Sequence, residues 1–173
     1  MAVTDALCLR DGDPHAAIRG AATVDDAIDL ACLELTHGRP DLLVYAFSSP
    51  AEGVALAPLG KLFGEEAIAH GELAGTLSRL GSKGTAFTEA VLRLGRSVWT
   101  SSIPRFGWRG LAASLRGHGV RSGGAFPVIA GNRIAAVIEV LSFDRLQCDL
   151  ATEALAAELA EAVAARASVL KLT

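Results

Sequence analysis

Three groups of residues have types and spacing that could do chemistry. The first is a lone carboxylate, Glu139, inside the apolar run Ile134–Leu141. A carboxyl buried in such a strand has a raised pKa and can serve as an acid or a base. No second carboxylate lies at a helpful spacing, so the reading is structural: the side chain escapes at the sheet surface or pairs with an arginine from a helix. The second group is histidine. His118 stands between Gly117 and Gly119, and His70 precedes Gly71. Either could contact a ligand or ligate a metal or haem iron, although lone loop histidines are more often solvated, as His15 and His37 are expected to be.

The third group is aromatic. Only 5% of the chain is Phe, Trp or Tyr, yet Trp99, Phe106, Trp108 and Phe126 gather in one stretch, with Tyr45 and Phe63 earlier. Such a set could stack a planar ligand or line an apolar pocket. Trp108 is flanked by Arg105 and Arg109, and guanidinium groups beside an indole suit an anionic ring compound. Other chemistry fails on spacing. Cys8, Cys32 and Cys148 form no C-x-x-C or Cys/His ligand pattern and read as reduced thiols. Gly81-Ser82-Lys83-Gly84-Thr85 lacks the spacing of a phosphate loop, and no G-x-S-x-G elbow or metal cluster is present.

The elements that must position these residues follow from the 173-residue chain. Its 51% hydrophobic and 20% charged composition is that of a globular domain, and its length suits a single one, spanning 1–173 with 1–22 as an N-terminal arm or helix. A net charge of -3 gives no electrostatic footprint for nucleic acid. No apolar run approaches a membrane span, and the N-terminus lacks the pattern of a secretory signal, so a cytoplasmic location is expected.

Asp13-Pro14 and Thr23, the latter with Asp26 three residues on, offer helix starts. Val24, Ala27, Ile28, Ala31 and Leu35 share one face, and Gly38 and Pro40 close that helix. Leu30 and Leu33 lie off the stripe. Residues 41–49 and 53–63 read as strands, the second an edge or a bulged one because of Pro58. Short helices are expected over 72–80 and 85–94, a strand over 96–104 and a short helix around 111–115. Gly131-Asn132 is a two-residue hairpin turn between apolar strands, which need cover on both faces. The final helix, 149–172, carries Leu155, Leu159, Val163 and Leu170 on one face, with alanines elsewhere that would admit a second helix. The class is α+β: an antiparallel sheet of about five or six strands, with the terminal helices on one face.

With the elements in place, the second half resembles the GAF family of small-molecule sensory domains. "LGRSVWTSSIP" is similar to the family's G-x-V-x-x-S-G-x-P segment, with one extra residue before Val98 and Ser102 in place of the second glycine. "GVRSGGAFPVIAGNRIAAVIEVLSFD" is similar to its final hairpin, with Ala136 where glycine is usual. The resemblance implies a ligand cavity on the sheet face opposite the terminal helices. Tyr45, Phe63, Trp99, Phe106, Trp108, Arg109, His118 and Phe126 are the candidate lining.

It also implies a sensory role, not an enzymatic one: non-covalent binding of an unidentified small molecule, a homodimer on the terminal helices and output to a signalling partner. Bilin-binding members attach their chromophore to a cysteine ahead of the final hairpin. Residues 109–122 contain His118 but no cysteine, so covalent bilin is not expected, nor is haem. The acidic pair of cyclic-nucleotide members is replaced by Gln147-Cys148. Two alternatives stay open: a small enzyme of the fold, such as a methionine sulfoxide reductase, and a dimerisation module with a collapsed pocket.

Overall fold

The computed structural model describes residues 13–49, 55–79, 84–103, 109–145 and 150–170. Two helices, α1 (Pro14–Gly20) and α2 (Val24–Thr36), lead into strands β1 (Leu42–Ser48) and β2 (Ala57–Phe63). Helices α3 (Gly71–Ser78) and α4 (Ala86–Leu94) follow, then β3 (Val98–Thr100) and α5 (Arg109–Gly117). The hairpin β4 (Ser122–Ala130) and β5 (Arg133–Ser142) precedes the long helix α6 (Leu150–Leu170). The five strands form one sheet in the order β2-β1-β5-β4-β3, antiparallel throughout.

Local chemistry accounts for the boundaries. Asp13 accepts from the His15 N–H at 2.9 Å and Pro14 opens α1. Thr23 and Asp26 form a reciprocal capping box, so aspartate serves where glutamate is usual. Gly38 takes φ 66 just past α2, a left-handed conformation that suits glycine. Gly131 takes φ 64 in the β4–β5 turn. The strand expected over 96–104 is only three residues long. Thr100 Oγ1 accepts from the Ser102 N–H at 3.2 Å and donates to the Ser102 carbonyl at 3.1 Å, a local turn that takes the backbone out of the ladder. The ends of the expected elements at Gly53, Leu80, Pro104, Asp149 and Leu172 lie outside the described residues.

Strand alternation separates two cores. Leu42, Val44 and Ala46 of β1, with Ala136, Ile138 and Val140 of β5, face α1, α2 and α6. Leu43, Tyr45 and Phe47, with Val137 and Leu141, face the layer made by α3, α4 and α5. The cover inferred for both faces of the hairpin is present. Helix α6 turns Ala156, Leu159, Ala162 and Val163 into the first core, while Leu155 is half-buried. Its alanines thus serve partly for close packing within the chain, where the sequence reading reserved them for a second helix. Leu30 also departs from its reading, because it packs against the first core; Leu33 is 37% exposed.

Candidate functional site

A buried polar cluster lies under the N-terminus of α4. Thr85 caps this helix, its Oγ1 accepting from the N–H groups of Phe87 at 3.1 Å and Thr88 at 3.3 Å. Glu139, from the middle of β5, reaches the same place. Its Oε1 accepts from the Thr88 N–H at 3.2 Å, from Thr88 Oγ1 at 2.5 Å and from the Thr85 hydroxyl. Its Oε2 has no hydrogen-bond partner although the residue is 0% exposed. Burial pushes the carboxyl up to about 7, and the threonine hydrogen bonds pull the other way. Glu139 therefore neither surfaces nor pairs with an arginine, which corrects the sequence reading. Two threonines three residues apart at a helix start were the available signal for this partnership.

Tyr45 is the cross-strand neighbour of Glu139 and shares its face. Its hydroxyl lies 3.0 Å from Ser78 Oγ, and its ring meets Phe47 edge-on with centroids 5.3 Å apart. The α3–α5 side of the sheet thus carries a tyrosine, a carboxyl, and hydroxyls from α3 and the start of α4.

The other aromatic candidates do not join Tyr45. Phe63 pairs with Val44, a residue of the opposite face; Phe63 and Trp99 each pack against the core beneath the terminal helices, and Phe126 is part of it. The expectation that these residues line one surface with Tyr45 fails on register: successive side chains alternate faces, and the sheet stands between them. Trp99 lies so close to Gly124 that a Cβ there would fall 2.2 Å from its Cε3, and its buried Nε1 has no partner. Phe106 and Trp108 lie outside the described residues, as does the side chain of Arg109, whose backbone opens α5.

His118, just past α5, meets His70, just before α3, at the rim of the same covering layer. Their Nδ1 atoms are 3.4 Å apart and their rings meet edge-on with centroids 5.6 Å apart. His70 also stacks at a tilt on Phe143, centroids 4.9 Å apart. These three residues line a cleft of about 430 Å³ with Pro40, Asp41, Glu66 and Asp144. Of the cysteines, Cys32 is buried on α2 in the core opposite this layer; burial, and then the nearby Asp29 carboxylate, push its thiol pKa up, a poor setting for a nucleophile. Cys8 and Cys148 lie outside the described residues. Among the described residues no helix is long and apolar enough to cross a membrane.

A family model described as the GAF domain matches residues 23–167. No sequence among the curated proteins matches the chain. Among solved structures, the chain is similar to the GAF domain/HD domain protein from Geobacter sulfurreducens, with TM-score 0.65 and 14% identity over 88% of this chain and 97% of that one. It is similar to a GAF domain in its photoproduct state from Synechocystis sp. PCC6803, with TM-score 0.64 and 11% identity over 87% and 96%. It also resembles a type II free methionine-R-sulfoxide reductase from Thermoplasma acidophilum, with TM-score 0.55 and 12% identity over 88% and 93%. At these identities the likenesses establish the fold.

Proposed function

We propose, from the premise that the chain belongs to the GAF family, that it is a sensory or regulatory module. It binds a small molecule non-covalently on the α3–α5 side of the sheet and passes the change to a partner through α1, α2 and α6. One observation carries this reading: Glu139 is wholly buried on that side with Oε2 unpartnered. A buried carboxyl oxygen without a donor is costly. When the carboxyl is ionised, a ligand N–H or O–H group reaching Oε2 relieves that cost, and a ligand that offers such a donor favours the ionised form. Phe106 and Trp108, in the chain between β3 and α5, and Arg109, the first residue of α5, are the candidates for holding an anionic ring. A cytoplasmic location and a homodimer belong to the same reading.

The close packing of Tyr45, Phe47, Leu73, Leu77 and Phe87, each at most 1% exposed, favours a second reading, a dimerisation module whose face its own side chains close. An enzyme of the reductase type has less support, because Cys32 lies on the other side of the sheet. Native mass spectrometry of freshly purified protein, followed by thermal-shift screening of small amines, amides and purines, separates these readings. The sensory reading expects a retained or added compound whose stabilisation is lost in Glu139→Gln. Absence of any retained mass and of any stabilising compound favours the closed module.

A further inference from the structure

The cleft at the end of the sheet is lined by two imidazoles and three carboxylates, Asp41, Glu66 and Asp144, and by no lysine or arginine among the described residues. Its centre is the approach of His70 Nδ1 to His118 Nδ1 at 3.4 Å. That separation is longer than the roughly 2.9–3.0 Å of a well-formed hydrogen bond from an N–H. If both rings are neutral with Nδ1 unprotonated, two lone pairs face each other, and such a pair needs a proton or a cation between them. Two nitrogens each about 2.0–2.1 Å from one zinc ion at the tetrahedral angle stand about 3.3 Å apart. The observed spacing, a long hydrogen bond when one Nδ1 carries the proton, is also that of two ligands on one metal.

We infer that His70 and His118 form a two-histidine site for a divalent transition-metal ion of the zinc, nickel or copper class. Imidazole suits these ions, and the carboxylates around the cleft add the negative field that favours a cation. Phe143 stacks on His70 and fixes one ring. Asp41 is already engaged by Ser142 Oγ at 3.2 Å and by Arg39 at 3.6 Å, and Glu66 and Asp144 add to the field from the wall of the cleft. No three His, Cys, Asp or Glu side chains among the described residues are grouped to hold a metal together. The ion is accordingly held directly by two imidazoles, with water filling its remaining positions, and its affinity is modest. Bound there, it joins the start of α3 to the end of α5, two segments that cover the Glu139 face. This site does not depend on the small-molecule reading, since its ligands lie at the rim and leave Glu139 untouched.

The test is zinc titration of the full chain, followed by calorimetry and by the imidazole nitrogen resonances of its four histidines. The expected result is a perturbation of two histidines, lost or altered when either His70 or His118 is replaced by alanine, with at least about tenfold weaker zinc binding in each variant. His37→Ala should bind as the parent does. Far-UV circular dichroism of each variant guards against loss of fold; if a variant does not fold, the parent spectra decide, since the paired resonances must move together and those of His15 and His37 must not. No binding up to about 1 mM zinc, or binding carried by His15, His37 or the cysteines, overturns the proposal.

Discussion

Thr88 gives both its backbone N–H and its hydroxyl to one oxygen of Glu139, fifty-one residues further along the chain, at 3.2 and 2.5 Å. The carboxyl so becomes a cap for α4 supplied from the sheet, and it ties the covering layer to the middle of β5. A negative charge at a helix N-terminus is favourable, yet complete burial opposes ionisation and the balance leaves the carboxyl at about 7.

The consequence is a pH-dependent stability of unusual sign for an acidic side chain. The folded-state value, about 7, lies above the ordinary 4.5, so the folded chain holds a proton that the unfolded chain releases. The contribution is fully present below about pH 4.5 and is lost as pH rises through about 7. Its size is roughly 3 kcal/mol. Urea melts between pH 4.5 and 8 should show this decline in the parent and a flatter profile in Glu139→Gln. Parallel profiles would mean that another group governs the pH dependence.

Thr85 holds α4 from within and Glu139 from across the sheet. Thr85→Ala removes the cap and a donor to the carboxyl together, at a cost of about 2–3 kcal/mol. Thr88→Ser keeps the hydroxyl and should cost less than Thr88→Val. Chemical denaturation of the three variants gives the order directly.

Glycine substitutions separate backbone crowding from backbone freedom. At Gly124 a Cβ would lie 2.2 Å from the Trp99 ring and 2.6 Å from the Val98 carbonyl oxygen, whereas at Gly20 on α1 it would meet nothing within 4 Å. Gly124→Ala should lose about 1–3 kcal/mol, and Gly20→Ala should gain a few tenths to about 1 kcal/mol. Thermal melts in which both variants behave alike would refute the close approach of Trp99 to β4.

Local signals in the chain carried most of the fold. Thr23 with Asp26, Gly131 with Asn132, and the unbroken apolar runs of β1 and β5 each act within a few residues, and each element formed where its signal placed it. The site was less legible because its contacts are distant. His70 and His118 are forty-eight positions apart, and Thr85 and Glu139 fifty-four. Which face Phe63 occupies depends on its pairing with Val44, and a one-residue slip would have put it beside Tyr45. Pairing register across separate strands is not written in either strand alone.

The same limit bears on how two copies would meet. Leu30 and Leu33 both lie off the main apolar stripe of α2, yet the structure divides them: Leu30, partly buried, packs against the first core, and Leu33 remains 37% exposed. On α6, Val169 is 51% exposed. A symmetric dimer through these terminal helices would cover such residues with their own copies and give a sensor a continuous helical output. Replacing Leu30 with glutamate would also disturb its packing against the first core, so a change there does not report on assembly alone. Leu33→Glu leaves the core intact and places the charge only where a second copy would sit. Sedimentation velocity should therefore find the parent dimeric, and Leu33→Glu monomeric with an unchanged melting profile at low protein concentration. A monomeric parent, or a dimer indifferent to Leu33→Glu, would leave Leu33 as an ordinary exposed leucine.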